Sequence, residues 1–227
     1  QSGAGAKIRI IITYMFQRYI VIAFRNLRRQ KLFTFINIAG LAVSMTVCLV
    51  VLVNERSNFS YDNFHPAAGR TWRVTSQALT PEGKRYHMAS SPLPVGDALK
   101  TNYAAVEQAA TLYGALSGEG NINGKKISVN GAFATPSFFS VFGFKLAAGN
   151  PLTALSVPNS IVLTQETARR FFGNNDPIGK VIRFDRFGSF LVSGVLAPPP
   201  APSHINYGAF AAMSSVPALE QSGVLPD

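Results

Sequence analysis

The chain has 227 residues, a single cysteine, and 21 lysines and arginines against 11 aspartates and glutamates. None of the acids lies in the first 31 residues, which carry seven of the cations: Lys7, Arg9, Arg18, Arg25, Arg28, Arg29 and Lys31. The charge of this segment is therefore +7, and that of the remaining 196 residues is 14 − 11 = +3. Because the excess of positive charge adjoins an apolar segment, it argues against a nucleic-acid partner. The lone cysteine excludes a disulfide framework.

Residues 1–14 precede Met15, which is a candidate native start, and we treat this segment as an extension of uncertain origin, with the start left open between Gln1 and Met15. Residues 15–32 predict a cytoplasmic basic amphipathic helix, because apolar side chains recur there at spacings of three and four: Phe16, Tyr19, Ile20, Ala23, Phe24 and Leu27. Such a helix lies in the plane of the membrane interface. It either anchors the chain to lipid headgroups or docks a cytoplasmic partner, and the residues favour neither alternative.

Residues 33–53 form an uncharged, predominantly apolar run. As a helix it would span about 31 Å, which matches a hydrocarbon core about 30 Å thick. A signal peptide is the main rival, but its apolar region is only about 7 to 15 residues long and ends in small residues, whereas here Val53 leads into Asn54 and Glu55. The run therefore predicts a transmembrane helix. Because basic flanks stay in the cytoplasm, residues 54–227 are expected outside the inner membrane, in the periplasm of a Gram-negative cell.

Residues 54–227 mix strand and short-helix signals, which predicts a domain of the α+β class after the single transmembrane helix. The expected strands are 72–79, 106–112, 125–133, 160–163, 180–184 and 190–196, and the expected short helices are 95–103, 137–142 and the segment after Thr164. Asn123-Gly124 predicts a hairpin turn. Thr164 is a predicted helix N-cap, and Gly173 is a predicted C-cap.

Catalytic and ligand-binding patterns are missing from the sequence. His65, His87 and His204 are far apart in loop-like segments, HExxH and P-loop spacings are absent, and adjacent Ser203 and His204 do not make a nucleophile–base pair. We therefore expect no enzyme activity and no metal or cofactor on this chain. The phenylalanines at 138, 139, 142 and 144 favour a packed core over a ligand groove.

Several segments, in their order and spacing, resemble the FtsX-type permeases of ABC transporters. RNLRR at 25–29 and KLFTFINIAGL at 31–41 resemble the helix that leads into the membrane, and YDNFH at 61–65 with RTWRV at 70–74 resembles the start of a MacB-like periplasmic core domain. The order continues with FFSVFGF at 138–144, IVLT at 161–164, DPIGK at 176–180, VSGV at 192–195 and PSH at 202–204. The resemblance covers essentially residues 16 to 216.

The resemblance implies a permease subunit that works with a separate cytoplasmic ABC ATPase, which binds the ATP. Motion driven by that ATPase would pass to the periplasmic domain for export or mechanotransmission. Such permeases have further spans, so the chain is expected to be an N-terminal fragment or a truncated product. Its other expected partners are the lipid bilayer, the remaining permease spans or a second permease copy, and periplasmic or outer-membrane components. Arg25, Arg28, Arg29 and Lys31 are the candidate residues for contact with the membrane surface or the ATPase.

Two other functions compete with this interpretation. A bitopic sensor would bind a ligand with its external domain and signal inward, and a kinase or cyclase would have to follow a second span. An anchored periplasmic hydrolase is less favoured, because the sequence offers no set of nucleophile, base and orienting group.

Overall fold

The computed structural model describes residues 15, 18, 19, 21–23, 25–59 and 61–225. It divides into two units, Gln1–Phe59 and Ser60–Asp227. The expected extension 1–14, and Phe16, Ile20 and Phe24 of the predicted amphipathic face, lie outside the described residues.

The first unit is helical in all its described residues except Gln30, where the chain bends. The bend does not interrupt the hydrogen bonding, because the Gln30 amide donates to the Asn26 carbonyl and the Thr34 amide donates to the Gln30 carbonyl, both at 3.0 Å. The Thr34 hydroxyl also donates to the Leu27 carbonyl. Helix α1 (Lys31–Phe59) follows the bend.

Helix α1 has the character of a membrane span. The most apolar 18 consecutive residues within Lys31–Arg56 have a mean hydropathy of 2.4, and none of them is buried by protein. The core helix of a soluble domain would bury that surface, whereas a helix in lipid satisfies its backbone internally and leaves its apolar side chains to the acyl chains. It is the one helix of this length and hydropathy among the described residues.

The second unit is the α+β domain that the sequence predicts. Its described strands are β1 (Ser76–Leu79), β2 (Arg85–Met88), β3 (Leu112–Ile122), β4 (Lys125–Ala134), β5 (Leu146–Gly149), β6 (Ser160–Thr164), β7 (Val181–Phe184), β8 (Gly188–Leu196) and β9 (Ala209–Ala212). Its described helices are α2 (Val95–Asn102), α3 (Phe138–Phe142), α4 (Gln165–Phe172) and α5 (Val216–Gln221), with 3₁₀ turns at Ala68–Arg70 and Met213–Ser215.

Seven strands form one mixed sheet in the order β5-β8-β6-β9-β4-β3-β7. Because β7 also pairs with β8, six of them close into a ring, and β5 lies alongside β8. β4 is parallel to β9 and β6 is parallel to β8, while the other pairs are antiparallel. Strands β1 and β2 form a separate antiparallel ribbon.

Alternation along the ring strands divides the core into two clusters. In β6, Ile161 and Leu163 belong to the first cluster, whereas Val162 belongs to the second. The first cluster takes buried side chains from all six ring strands and fills the ring. The second covers the other face, where Phe138 of α3 contacts Phe210 of β9 with ring centroids 4.6 Å apart.

Most predicted elements are confirmed, and the local chemistry explains why. Asn123 and Gly124 both have positive φ (49° and 83°), as a two-residue hairpin turn requires, and they join β3 to β4. The Thr164 hydroxyl accepts a hydrogen bond from the Thr167 amide and caps α4. Phe138, Phe139 and Phe144 are buried in the core, as expected, and Phe142 packs against them.

Two strand predictions are wrong in extent. Of the predicted strand 106–112, only Leu112 is in a strand. The Thr111 amide instead donates to the Thr135 hydroxyl at 3.0 Å, so a side chain takes the place of a ladder partner. The predicted strand 72–79 begins only at Ser76, because β2 offers four residues for pairing and leaves Trp72 outside the ladder.

Candidate functional site

Of the four cations predicted to contact the membrane surface or the ATPase, three lie at the end of the helical segment that precedes α1, and the fourth begins α1. Arg25, Arg28 and Arg29 are helical and exposed, and their spacing of three and four residues places them on one helical face. Lys31 is the first residue of α1 and is also exposed. None of the four forms an ion pair with a described residue. Their function stays a prediction.

A second constellation, which the sequence did not predict, gathers around Asp62 at the start of the external domain. We call Asp62, His65, Ser203 and His204 the Asp62 cluster. The Asp62 carboxylate accepts a hydrogen bond from the Ser203 hydroxyl and another from His204 Nδ1 at 2.7 Å. His65 Nε2 lies 3.3 Å from the same carboxylate. The cluster thus joins two segments about 140 residues apart in sequence.

Backbone contacts build this cluster from both sides. The Asp62 amide donates to the Pro202 carbonyl at 3.0 Å, and the Ser203 hydroxyl accepts from the Ile205 amide at 3.0 Å. Asp62 has a φ of 59°, a left-handed conformation that aspartate and asparagine tolerate better than most residues. Since its oxygen accepts from Ile205, the Ser203 hydroxyl directs its own proton toward Asp62.

His65 ties the cluster to the second core cluster. Its Nδ1 lies 2.6 Å from the Phe142 carbonyl oxygen, and its side chain is almost fully buried. Its ring contacts those of Phe64 and Phe142. With an acceptor at each ring nitrogen, His65 links the carboxylate to the end of α3.

The Asp62 carboxylate is held in its ionised form. Partial burial would raise its pKa, but hydrogen bonds from Ser203 and His204 and the nearby charge of His65 outweigh that effect. The pKa of Asp62 therefore lies below its ordinary value. An ionised acceptor strengthens the hydrogen bonds that join the two segments.

The arrangement does not provide a hydrolytic triad, although it contains serine, histidine and aspartate. In a triad the histidine stands between the serine and the carboxylate and takes the serine proton. Here Asp62 stands in the middle, and Ser203 and His204 both donate to it. The cluster can clamp two chain segments together, but it offers Ser203 no histidine base.

The sequence pattern predicts that the three histidines lie in separate loops, whereas the structure brings His65 and His204 to one carboxylate, that of Asp62. His87 lies apart on β2, where its Nδ1 is 3.3 Å from Gln77 Nε2. One signal was available: the segments YDNFH and PSH are two of the pieces that carry the family resemblance, and they are the halves of the cluster.

A groove of about 660 Å³ opens between the start of α4 and the proline-rich connector before β9. Its lining combines the polar side chains of Asn130, Thr164 and Glu166 with Tyr207 and with apolar residues such as Leu196. Thr164 is engaged in capping α4, and Asn130 accepts from the Ser117 hydroxyl. The groove has room for a small ligand.

The comparison with protein families decides what kind of domain this is. The model of the MacB-like periplasmic core domain matches residues 34–224. The chain belongs to this family. The match includes most of α1 and nearly all of the external unit, so the resemblance seen in the sequence is confirmed.

Three solved structures are similar to this chain, and the one with a TM-score above 0.5 agrees in fold. A domain of a protein described as a permease, from Porphyromonas gingivalis, is 23% identical with a TM-score of 0.56, covering 68% of this chain and 67% of that one. The periplasmic region of MacB from Actinobacillus actinomycetemcomitans (21% identity, TM-score 0.42) covers 54% of this chain and 56% of that one. The extracellular domain of the noncanonic ABC-type transporter YknZ from Gram-positive bacteria is 16% identical with a TM-score of 0.44, and the match covers 58% of this chain and 65% of that one. No curated protein matches.

The MacB-like domain therefore has the architecture that ABC-transporter-type permeases carry outside the membrane. Together with the apolar helix α1, it describes a membrane-anchored chain with an external domain.

Proposed function

We propose that this chain is the N-terminal part of an FtsX-like permease subunit, which couples ATP hydrolysis on a separate cytoplasmic ATPase to movement of its periplasmic domain. The observation that carries the proposal is the family match, which runs through the span helix and the external domain as one unit of sequence. The movement would serve export or mechanotransmission.

The charge distribution supports a cytoplasmic N-terminus. Arg25, Arg28 and Arg29 share one helical face just before the span, and basic flanks are retained on the cytoplasmic side. This face would meet either anionic headgroups or the ATPase, and in both cases it stands where a cytoplasmic displacement enters the span.

The Asp62 cluster supports a mechanical role for the domain. Asp62 follows the last residue of α1 by only three positions, and its carboxylate is clamped to Ser203 and His204. Asp62, which follows the span closely in sequence, is therefore fixed to the body of the external domain. A displacement of the chain at Asp62 would be passed on to the segment at 202–204.

Photo-crosslinking in the native membrane tests the proposal. A photoreactive amino acid placed singly at positions 25, 28 and 29 should form a product with a protein that contains a P-loop ATPase domain. The same amino acid at Asn174, an exposed residue of the external domain, is the control and should give no such product. Cross-links from the arginine positions to lipid alone would refute ATPase coupling.

Thiol labelling tests the orientation separately. Cys48 is the single native cysteine and lies within the apolar helix, so it provides a low background. A membrane-impermeant maleimide added to intact spheroplasts should label the Asn174→Cys variant and leave Gln30→Cys unlabelled. The reverse pattern would place the domain on the cytoplasmic side and overturn the proposed localisation.

A bitopic sensor remains the second candidate, because the groove beside α4 could receive a ligand. The two functions differ in their dependence on ATP. A sensor should respond to a ligand without any ATPase cross-linked to the arginine face, whereas the permease requires that contact.

A further inference from the structure

Among the residues that the structure describes, no element covers either face of the ribbon of β1 and β2 as a protein layer. Its register pairs Ser76 with Met88 and Ala78 with Tyr86, so these four side chains share one face. Leu79 opposite Arg85 and Gln77 opposite His87 form the other face. All of these residues are exposed except Ser76, which is half-buried. An isolated two-stranded ribbon is at best marginally stable in water, so this one gains from an external surface.

The side chains that the ribbon exposes are of a particular kind. Trp72, just before β1, has 85% of its surface exposed, and Leu79 has 68%. Tyr86 and Met88 are also large, apolar and exposed. Tryptophan and tyrosine concentrate where a membrane meets water, because their rings are apolar and their N–H or O–H groups are polar.

The charge around these side chains favours an anionic surface. Residues 70–88 contain four cations, Arg70, Arg73, Lys84 and Arg85, against one acid, Glu82. Arg70 pairs with Glu107, but neither Arg73 nor Arg85 has an ion pair among the described residues. Lys84 lies 5.0 Å from the centroid of the Tyr86 ring, so cation and aromatic side chain are presented together.

The position of the ribbon in the chain indicates which surface it would contact. Trp72 follows the last residue of α1 by 13 positions, and the described chain from Tyr61 onward is folded mainly into turns, with the 3₁₀ turn Ala68–Arg70 and the Thr71 hydroxyl donating to the Ala67 carbonyl. A lipid surface is thus available to this segment at high local concentration, without any further partner.

We propose that Trp72 and the β1–β2 ribbon dock onto the headgroup layer of the bilayer that α1 spans, with Arg73 and Arg85 on anionic phosphates. The ribbon then gives the external domain a second contact with the membrane besides its covalent link to α1. This inference rests on the membrane anchor and is independent of ATPase coupling.

The full chain provides its own reporter, because Trp72 is its single tryptophan. The chain is reconstituted into vesicles of phosphatidylcholine with phosphatidylglycerol, the latter with or without brominated acyl chains. Docking predicts a blue-shifted Trp72 emission that the brominated lipid quenches. The W72F variant supplies the blank.

Charge removal tests the named contacts. Each cation near an anionic membrane contributes about 1 kcal/mol, so the R73Q/R85Q variant should lower the docked-to-free ratio about 30-fold. Raising the salt concentration brings that ratio into a measurable range, because screening weakens the same contacts. The matched control K180Q/R183Q removes two exposed cations at β7 and should leave the salt midpoint unchanged.

Three results would overturn the inference. The first is a Trp72 emission like that of indole in water, without quenching. The second is a blue shift that brominated lipid does not quench, which indicates a second copy of the chain on the ribbon. The third is an R73Q/R85Q variant that behaves like the control.

Discussion

Asp62→Asn is the sharpest single perturbation of the external domain. Asparagine has the shape of aspartate and tolerates the positive φ at this position, so the substitution removes the charge without adding backbone strain. Ser203 and His204 donate to different oxygens of Asp62, so the amide of asparagine leaves one of these hydrogen bonds neutral and puts an NH2 group in place of the other acceptor. Charge-assisted bonds contribute roughly 1.5–3 kcal/mol and neutral ones about 1 kcal/mol. Because His204 is largely exposed, we expect the lower end, a loss of about 1–2 kcal/mol in the free energy of unfolding.

The assay is urea unfolding of the full chain in detergent micelles, followed by near-ultraviolet circular dichroism. Asp185→Asn is the matched control, because Asp185 is exposed and pairs only with exposed Lys126, so its change should stay within about 0.5 kcal/mol. A double-mutant cycle with Ser203→Ala should give a coupling energy of about 1 kcal/mol. If Asp62→Asn lowered the free energy of unfolding no more than Asp185→Asn, the hydrogen bonds of the Asp62 cluster would not stabilise the domain in solution.

The lowered pKa of Asp62 adds a pH dependence with a definite sign. The folded protein binds the proton less tightly than the unfolded chain, so the stabilisation is complete above the ordinary aspartate pKa of about 4 and is lost as pH falls through the folded value. The stability difference between wild type and Asp62→Asn should therefore shrink in acid. A constant difference between neutral pH and acid would contradict the assignment.

Three further changes test the packing in the same unfolding assay. Gly131→Ala should destabilise the domain by roughly 1–3 kcal/mol, because the added Cβ would lie 2.9 Å from a carbonyl oxygen of the neighbouring strand. Gly69→Ala is the control: its Cβ would meet no atom within 4 Å, so the free energy of unfolding should hardly change. Phe138→Ala should lower the free energy of unfolding by roughly 3–5 kcal/mol, because a fully buried ring is lost. Leu152→Ala, at an exposed position, should lower it by less than about 0.5 kcal/mol. Thr164→Ala should lower the free energy of unfolding by about 1 kcal/mol, because it removes the N-cap of α4. Thr164→Ser keeps the hydroxyl and should retain most of the wild-type stability. Equal stability of the two variants would refute the capping role.

Local elements of the fold were predictable wherever a signal acts within a few residues. The Asn123-Gly124 turn and the Thr164 cap follow from backbone conformation and from one side-chain hydrogen bond, so a short window of sequence contains their cause. The predicted strand 106–112 was wrong in extent: the Thr111 amide donates to the side chain of the distant Thr135, and nothing in the local pattern indicates that partner.

The Asp62 cluster shows the same limit for the candidate site. Asp62 and His65 are neighbours in sequence, but Ser203 and His204 reach them only after the sheet has closed. Long-range closure of this kind leaves no periodicity to detect. The family resemblance drew attention to both segments without saying that they meet. The arginines before the span were selected on charge and apolar length, which are properties of the local sequence, and their function stays a prediction.

The central claim, that this chain belongs to an ATP-driven permease, is tested most directly by isolating it from native membranes and measuring ATP hydrolysis in the isolate. The account predicts a co-isolated P-loop ATPase with activity, and a loss of at least about tenfold when Arg25, Arg28 and Arg29 are all changed to Glu, since like charges would then face each other at a docking surface. The matched triple change to Lys should retain the activity. An intact, membrane-inserted chain that brings down no P-loop ATPase would contradict the claim.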